Sequence, residues 1–188
     1  MARELEAKFK VEQFRSVRRA LRDAKGIYLG TVMERDTFFD TAKRDLYRSG
    51  QALRLRQIRV LKHVAGGRKA GWLVTSKGPV QPGSVLKDRE ELQTSVDDGL
   101  AMADILQLAG LLPCQSIEKR RASYRLGRCS VELDEVPRLA RFVEIEGPSY
   151  QAIEAVRRKL NLPDEPVTTS YLEMVADMSH RRSGNADS

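Results

Sequence analysis

Cysteine and histidine are scarce in this chain of 188 residues, with two of each. Cys114 and Cys129 are too few for a disulfide framework and lack metal-ligand spacing, so two packed or surface thiols are expected. His63 falls in an expected loop and His180 in an expected tail, which argues against imidazole-based catalysis. Aromatic residues make up only 6%, with one tryptophan, Trp72. A reader of nucleic acid stacks bases on aromatics set beside basic groups, so that partner is disfavoured. No run of about eighteen apolar residues occurs and no signal-peptide pattern is present, so no membrane partner is expected and the chain reads as soluble and cytoplasmic. Internal repeats are missing, as is any composition shift that would mark a second domain. One domain over residues 1–178 is expected, with 179–188 a disordered tail.

Charge, by contrast, is plentiful. Charged residues reach 31% and hydrophobic ones 41%, enough for a buried core at this length. Lys and Arg outnumber Asp and Glu by 33 to 26, giving a net charge of +7 and a pI near 9.6. That balance suits an anionic partner: nucleic acid, acidic membrane or a phosphorylated small molecule.

Periodicity divides the chain into strands over about 3–11, 30–40, 51–61, 70–77, 86–95, 115–126, 128–136 and 140–146. Helices are predicted over 13–25, where Phe14, Val17 and Leu21 share one face, and over 98–110, 149–160 and 169–178. Asp97 and Asp98 can cap the second of these, which carries Leu100, Ile105, Leu106 and Leu108. Asp45 to Gly50 reads as a turn or a single helical turn, and the loops at 65–71 and 78–84 as hairpin connections. Eight mostly hairpin-linked strands with three or four helices imply an antiparallel α+β fold.

Nearly every strand carries an ionisable face. Alternation puts Glu4, Glu6, Lys8 and Lys10 on one side of the first strand and Leu5, Ala7, Phe9 and Val11 on the other. Arg54 and Arg56 alternate with Leu53 and Leu55, and Glu144 and Glu146 with Val143 and Ile145. Lys77 ends its strand, Arg89 and Glu91 share a face, Lys119 and Arg121 do likewise, and Glu132 and Asp134 lie beside Val131 and Leu133. For any single such strand the plainer expectation is a solvated sheet face. Recurrence through the chain, with acids in the first and last strands and bases in the middle ones, predicts a closed barrel with a charged interior and helices outside. Lys10 and Arg59 are expected at the rim or in solvent, and Trp72 and Phe38 in packing. Arg68, Lys69 and Lys87 sit near loop ends, where they could meet a nucleotide.

These residues resemble the CYTH-domain family, the triphosphate tunnel metalloenzymes. The hallmark Glu-x-Glu-x-Lys stands as Glu4-x-Glu6-x-Lys8. Phe38-Phe39-Asp40-Thr41, Ala52 to Arg56, Thr75-Ser76-Lys77-Gly78-Pro79 and Lys119-x-Arg121 follow in the family's order. Val131 to Val136, Phe142 to Glu146 and Ser170-Tyr171-Leu172 complete the set, which covers residues 3–175. The resemblance implies a closed eight-stranded antiparallel barrel around a tunnel. It is nearest the subgroup named for class IV adenylyl cyclases, on the Arg44-Asp45-Leu46 element and the overall length. Two positions depart from the pattern. Gln93 replaces an acid often seen in the family and is a poor metal ligand, and Phe38 replaces the tyrosine of animal thiamine triphosphatases.

A triphosphate carries nearly four negative charges, so it needs several cations; Lys8, Arg54, Arg56, Lys77, Arg89, Lys119 and Arg121 can supply them. The resemblance implies Mg²⁺ or Mn²⁺ held by Glu4, Glu6, Glu144 and Glu146, with Glu132 and Asp134 close by. Glu132, Asp134 and Glu91 have a second reading, as partners that hold the arginines in place. Glu4, Glu6 and Lys8 form the expected catalytic set, with Glu91 orienting a water or hydroxyl. The expected activity is metal-dependent hydrolysis of an inorganic, nucleoside or other organic triphosphate by a monomer or homodimer. The alternative is a class IV adenylyl cyclase that forms cyclic AMP and pyrophosphate from ATP. A non-catalytic binder of polyphosphate or nucleic acid stands third, because plain anion binding has no use for six carboxylates among the bases.

Overall fold

The computed structural model describes residues 2–81, 83 and 86–183. Its strands are β1 (Ala2–Val11), β2 (Ile27–Asp40), β3 (Ala52–Lys62), β4 (Gly71–Lys77), β5 (Lys87–Val96), β6 (Leu112–Leu126), β7 (Cys129–Val136) and β8 (Ala140–Glu146). They form a closed antiparallel barrel in the order β1-β5-β4-β3-β2-β6-β7-β8, as the alternating charged faces predict. β1 seals it by pairing with β5 on one side and β8 on the other. The helices are α1 (Phe14–Asp23), α2 (Asp45–Arg48), α3 (Gly99–Leu108), α4 (Tyr150–Lys159) and α5 (Tyr171–Ser183). None is long and apolar enough to cross a membrane among the described residues.

The hydrophobic core lies outside the barrel and on one flank. Alternation turns Ala7 and Phe9 of β1, Val131 and Leu133 of β7, and Val143 and Ile145 of β8 outward. There they meet Phe14, Val17 and Leu21 of α1 and Ile153 and Val156 of α4. Cys129 packs into this layer, whereas Cys114 is exposed, and both are free thiols. Ser149 caps α4 by accepting from the Ala152 N–H.

α3 behaves differently. Asp98 caps it, accepting from the N–H groups of Leu100 and Ala101. Yet Leu100, Ile105 and Leu108 are exposed, Leu108 at 89%, and Gly99 is the one buried residue of the helix. A Cβ on Gly99 would lie 2.0 Å from the Trp72 ring, so the indole packs against the start of α3.

Three local devices shape the mouths of the barrel. Asp40 accepts from the backbone N–H groups of Thr41, Leu46 and Tyr47, which fastens the single helical turn α2 beside β2. β2 bulges at Gly30, whose φ of 115° favours glycine, and the register shifts on either side. The β3–β4 loop folds back over that bulge so closely that a Cβ on Gly67 would come within 2.0 Å of the Leu29 carbonyl oxygen. At the other end, Ser170 and Glu173 form a reciprocal cap: the Ser170 hydroxyl accepts from the Glu173 N–H, and the Glu173 carboxylate from the Ser170 N–H. α5 therefore starts at Tyr171 and packs with Phe38, Ile117, Val136 and Phe142. Unlike α1 and α4, it lends residues to the barrel's interior cavity. The expected tail is helical from 179 to Ser183, and its remainder, 184–188, lies outside the described residues.

Leu21 is fully buried, so Leu21→Ala lowers the unfolding free energy by about 2–5 kcal/mol. Leu108→Ala, on the exposed face of α3, changes it by no more than about 0.5 kcal/mol. Urea denaturation followed by circular dichroism measures both.

Candidate active site

The inward positions of all eight strands line one cavity of about 1130 Å³. β1 supplies Glu4, Glu6 and Lys8, and β3 supplies Arg54 and Arg56. Lys77 comes from β4, Lys87, Arg89, Glu91 and Gln93 from β5, and Lys119 and Arg121 from β6. β7 contributes Glu132, and β8 Glu144 and Glu146. Asp134 and Glu34 are wholly buried in the same wall. Every candidate site residue read from the sequence therefore belongs to this interior.

Sequence reasoning missed Glu34 and Asp36 on β2, and with them the true charge pattern. Acids are not confined to the first and last strands: β2 places two among the bases, and β1 carries Lys8. The two-residue spacing of Glu34 and Asp36 was the available signal. Arg35, which pairs with Glu118 on the outer face, hid it by alternating the sign of charge. Arg68 also proves to be a lining residue. Its guanidinium donates to Glu34 at 2.8 Å and pairs with Glu132 at 3.5 Å.

Pairing fixes most of the cations. Arg56 grips Asp36 through two bonds of 2.6 and 2.7 Å and reaches Glu34 at 3.0 Å. Arg121 spans Asp134 and Glu144, and Lys119 donates to Asp134 at 2.8 Å. Lys77 lies 2.8 Å from Glu4 and 2.7 Å from Glu91, while Arg89 donates to Glu4 at 3.0 Å. Arg54 reaches Thr75, whose hydroxyl donates to Gln93, so the neutral residue at 93 braces an arginine's partner. Glu132 accepts from Ser123 at 2.5 Å.

The electrostatics separate two kinds of carboxylate. Burial alone would raise Glu34, but Arg121, Arg56 and Lys119 outweigh it and hold the group at about 2. Glu4 is likewise held at about 2, where Lys77 and Arg89 overcome burial. Glu6 goes the other way: burial, with Glu144 and Glu4 nearby, pushes it up to about 7. Burial and the charges of Glu4 and Glu91 also raise Glu146, the direct cross-strand neighbour of Glu6. Paired carboxylates that resist ionisation suit a hard cation, which takes oxygen ligands and tolerates one or two carboxylates. Among the described residues, no three acids are placed to hold such an ion together. Lys77 and Arg89 draw Glu4 aside, and Arg121 draws Glu144. Asp134 is engaged by Lys119, Arg121 and the Tyr171 hydroxyl.

A closed barrel with this inward set can be compared with known proteins. The family model described as the CYTH domain matches residues 2–170. The chain belongs to the CYTH domain family. A relative from Methanocaldococcus jannaschii, MJ0240, named as a candidate adenylate cyclase, is 24% identical over 91% of this chain and 97% of its own length. The fold is shared with PH1819 of Pyrococcus horikoshii, at a TM-score of 0.78 and 23% identity over 93% of this chain and 99% of that one. HpAC1 from Hippeastrum, a candidate adenylyl cyclase described as having a dominant triphosphatase activity, superposes with a TM-score of 0.66. It is 20% identical, covering 90% of this chain and 93% of its own.

Within this CYTH barrel, the depressed carboxyl of Glu34 carries a pH signature. Because its folded value lies below the unfolded one, its stabilisation is complete above about pH 4.5 and is lost as pH falls through about 2. Glu34→Gln leaves buried cations short of a partner and lowers stability at pH 7 by about 3 kcal/mol. The gap between variant and parent closes toward pH 2, as urea titrations at pH 7, 4 and 2 will measure.

Proposed function

We propose that this chain is a metal-dependent phosphohydrolase acting on triphosphates, either inorganic triphosphate or a nucleoside or other organic triphosphate. The observation that supports it best is the division inside one cavity between cations and a facing carboxylate pair, Glu6 and Glu146, both shifted upward. Anion binding alone has no use for that pair. Glu6 and Glu146 would hold Mg²⁺ or Mn²⁺, with Glu144 next to them. The ion, when bound, neutralises phosphate charge and favours ionisation of a bound water.

The chain's own groups do the rest. Arg54, Arg56, Arg89 and Arg121 present guanidinium forks to phosphate oxygens, and Lys8, Lys77 and Lys119 add point charges. Carboxylate partners hold all of these except Lys8 before substrate arrives, so little reorganisation accompanies charge build-up on the departing phosphates. Glu132 and Asp134 serve as such partners. Glu91 orients the attacking water and accepts its proton, which then passes to solvent. The water oxygen bonds to the terminal phosphorus, the bridging P–O bond breaks, and pyrophosphate or a nucleoside diphosphate leaves. The dominant triphosphatase activity ascribed to HpAC1 agrees with this reading.

A second reading, adenylyl cyclisation, is favoured by the name of the M. jannaschii relative. There the ribose 3′ oxygen attacks the α-phosphorus of ATP and pyrophosphate leaves. The two readings differ in how deep the substrate sits.

Phosphorus NMR and anion-exchange chromatography of reactions with ATP or inorganic triphosphate, plus Mg²⁺ or Mn²⁺, decide between them. Orthophosphate with ADP or pyrophosphate is expected, and Glu6→Gln with Glu146→Gln should abolish it. Arg56→Ala should lower kcat/KM by about a hundredfold. Cyclic AMP with pyrophosphate would establish the cyclase. No product with either metal would leave a binding protein.

A further inference from the structure

We propose that Tyr171 is a positioning residue whose ring sets the ammonium groups of Lys8 and Lys119 for phosphate binding; this rests on the reading of the cavity as a triphosphate site. The Lys8 ammonium stands 3.9 Å from the centre of the Tyr171 ring and that of Lys119 4.9 Å from it. Both distances lie within cation–π range. Phe142 braces the ring edge-on, at 5.1 Å between centroids and 68° between planes. The Tyr171 hydroxyl donates to Asp134 at 3.2 Å, longer than the 2.8 Å bond from Lys119 to the same carboxylate.

Lys8 differs from Lys77 and Lys119 in what holds it. Lys77 and Lys119 each have a carboxylate oxygen within 2.8 Å. The Lys8 ammonium instead donates to the Thr169 carbonyl at 3.0 Å and comes no nearer than 4.0 Å to Glu144. A ring face and a carbonyl orient an ammonium through partial charges, leaving its full charge available to an incoming phosphate oxygen. The arrangement is built by the segment leading into α5. The Val167 N–H donates to the Lys8 carbonyl at 2.6 Å, and the reciprocal cap between Ser170 and Glu173 fixes Tyr171 at the first helical position. If Tyr171 served packing alone, leucine would meet the need among Ile117, Val136 and Phe142.

The test measures binding of inorganic triphosphate by calorimetry in EDTA, without turnover, for the parent, Tyr171→Phe and Tyr171→Leu. The phenylalanine variant keeps the ring and should stay within about twofold of the parent, while leucine should weaken binding about tenfold. Parent-like affinity in the leucine variant overturns the proposal, as does an equal loss in both variants. NMR of the parent covers the case in which leucine prevents folding. Lys8 ε-methylene protons, assigned by their loss in Lys8→Arg, should be shifted upfield by the ring; resonance at the free-lysine position overturns the proposal. A parent that binds triphosphate but does not hydrolyse it overturns the hydrolase and leaves this inference standing. A parent that binds none, either in EDTA or with Mg²⁺ added, overturns both.

Discussion

The guanidinium–carboxylate pair inside a closed sheet is the interaction on which this structure depends. A charge moved from water into a barrel interior loses solvation worth several kcal/mol even after relaxation. Arg121 with Asp134 and Arg56 with Asp36 answer that loss through forked geometry, two donors to two oxygens. Such pairs are weak evidence of stability, since apolar groups of similar volume often serve a core as well. What they provide is a set of cations held in place and poorly hydrated before any ligand arrives. The barrel wall is a prepared electrostatic surface, and the apolar layer under α1 and α4 carries the hydrophobic contribution to folding.

This division of labour explains why the chain could be basic overall and yet hold at least as many acids as bases in its tunnel. Glu4, Glu6, Glu34, Asp36, Glu91, Asp97, Glu132, Asp134, Glu144, Glu146 and Glu173 stand with Lys8, Arg54, Arg56, Arg68, Lys69, Lys77, Lys87, Arg89, Lys119 and Arg121. The surplus of +7 is therefore carried elsewhere, as on α1, whose exposed side holds Arg15, Arg18, Arg19 and Arg22. Net charge describes the outer surface of this molecule and not its cavity.

Much of the architecture was legible because a period of two is a local property. Nearly every strand announced an ionisable and an apolar face, and the helical spacing of Phe14, Val17 and Leu21 matched the face they bury. What escaped was non-local or masked. Glu34 and Asp36 were hidden by Arg35, a solvent-facing residue between two inward ones. Arg68 was readable only as a loop-end residue able to meet a nucleotide; its reach to Glu34 depends on the β3–β4 loop lying on the β2 bulge, a contact that Gly67 permits and no spacing reveals. The helical pattern of α3 was readable, but whether a partner surface existed for its leucines was not. Tyr171 sat within a readable capping signature, Ser170-x-x-Glu173, yet what lay beneath its ring depended on β1, more than 160 positions earlier.

The pairing of β1 with β5 and β8 bears on how the chain acquires its shape as it is made. β1 has no neighbour in this sheet until β5 has emerged, and the ring cannot shut until residue 146 has joined it. Until then no closed barrel exists to take the inward carboxylates and guanidinium groups out of water. Closure itself brings together the charges on either side of the β1–β8 seam, where Lys8 meets Glu144, whereas Arg121 already has both of its acids within the β6-β7-β8 meander. A ribosome-bound chain is thereby spared the isolated buried ion that a progressive collapse from the amino end would create.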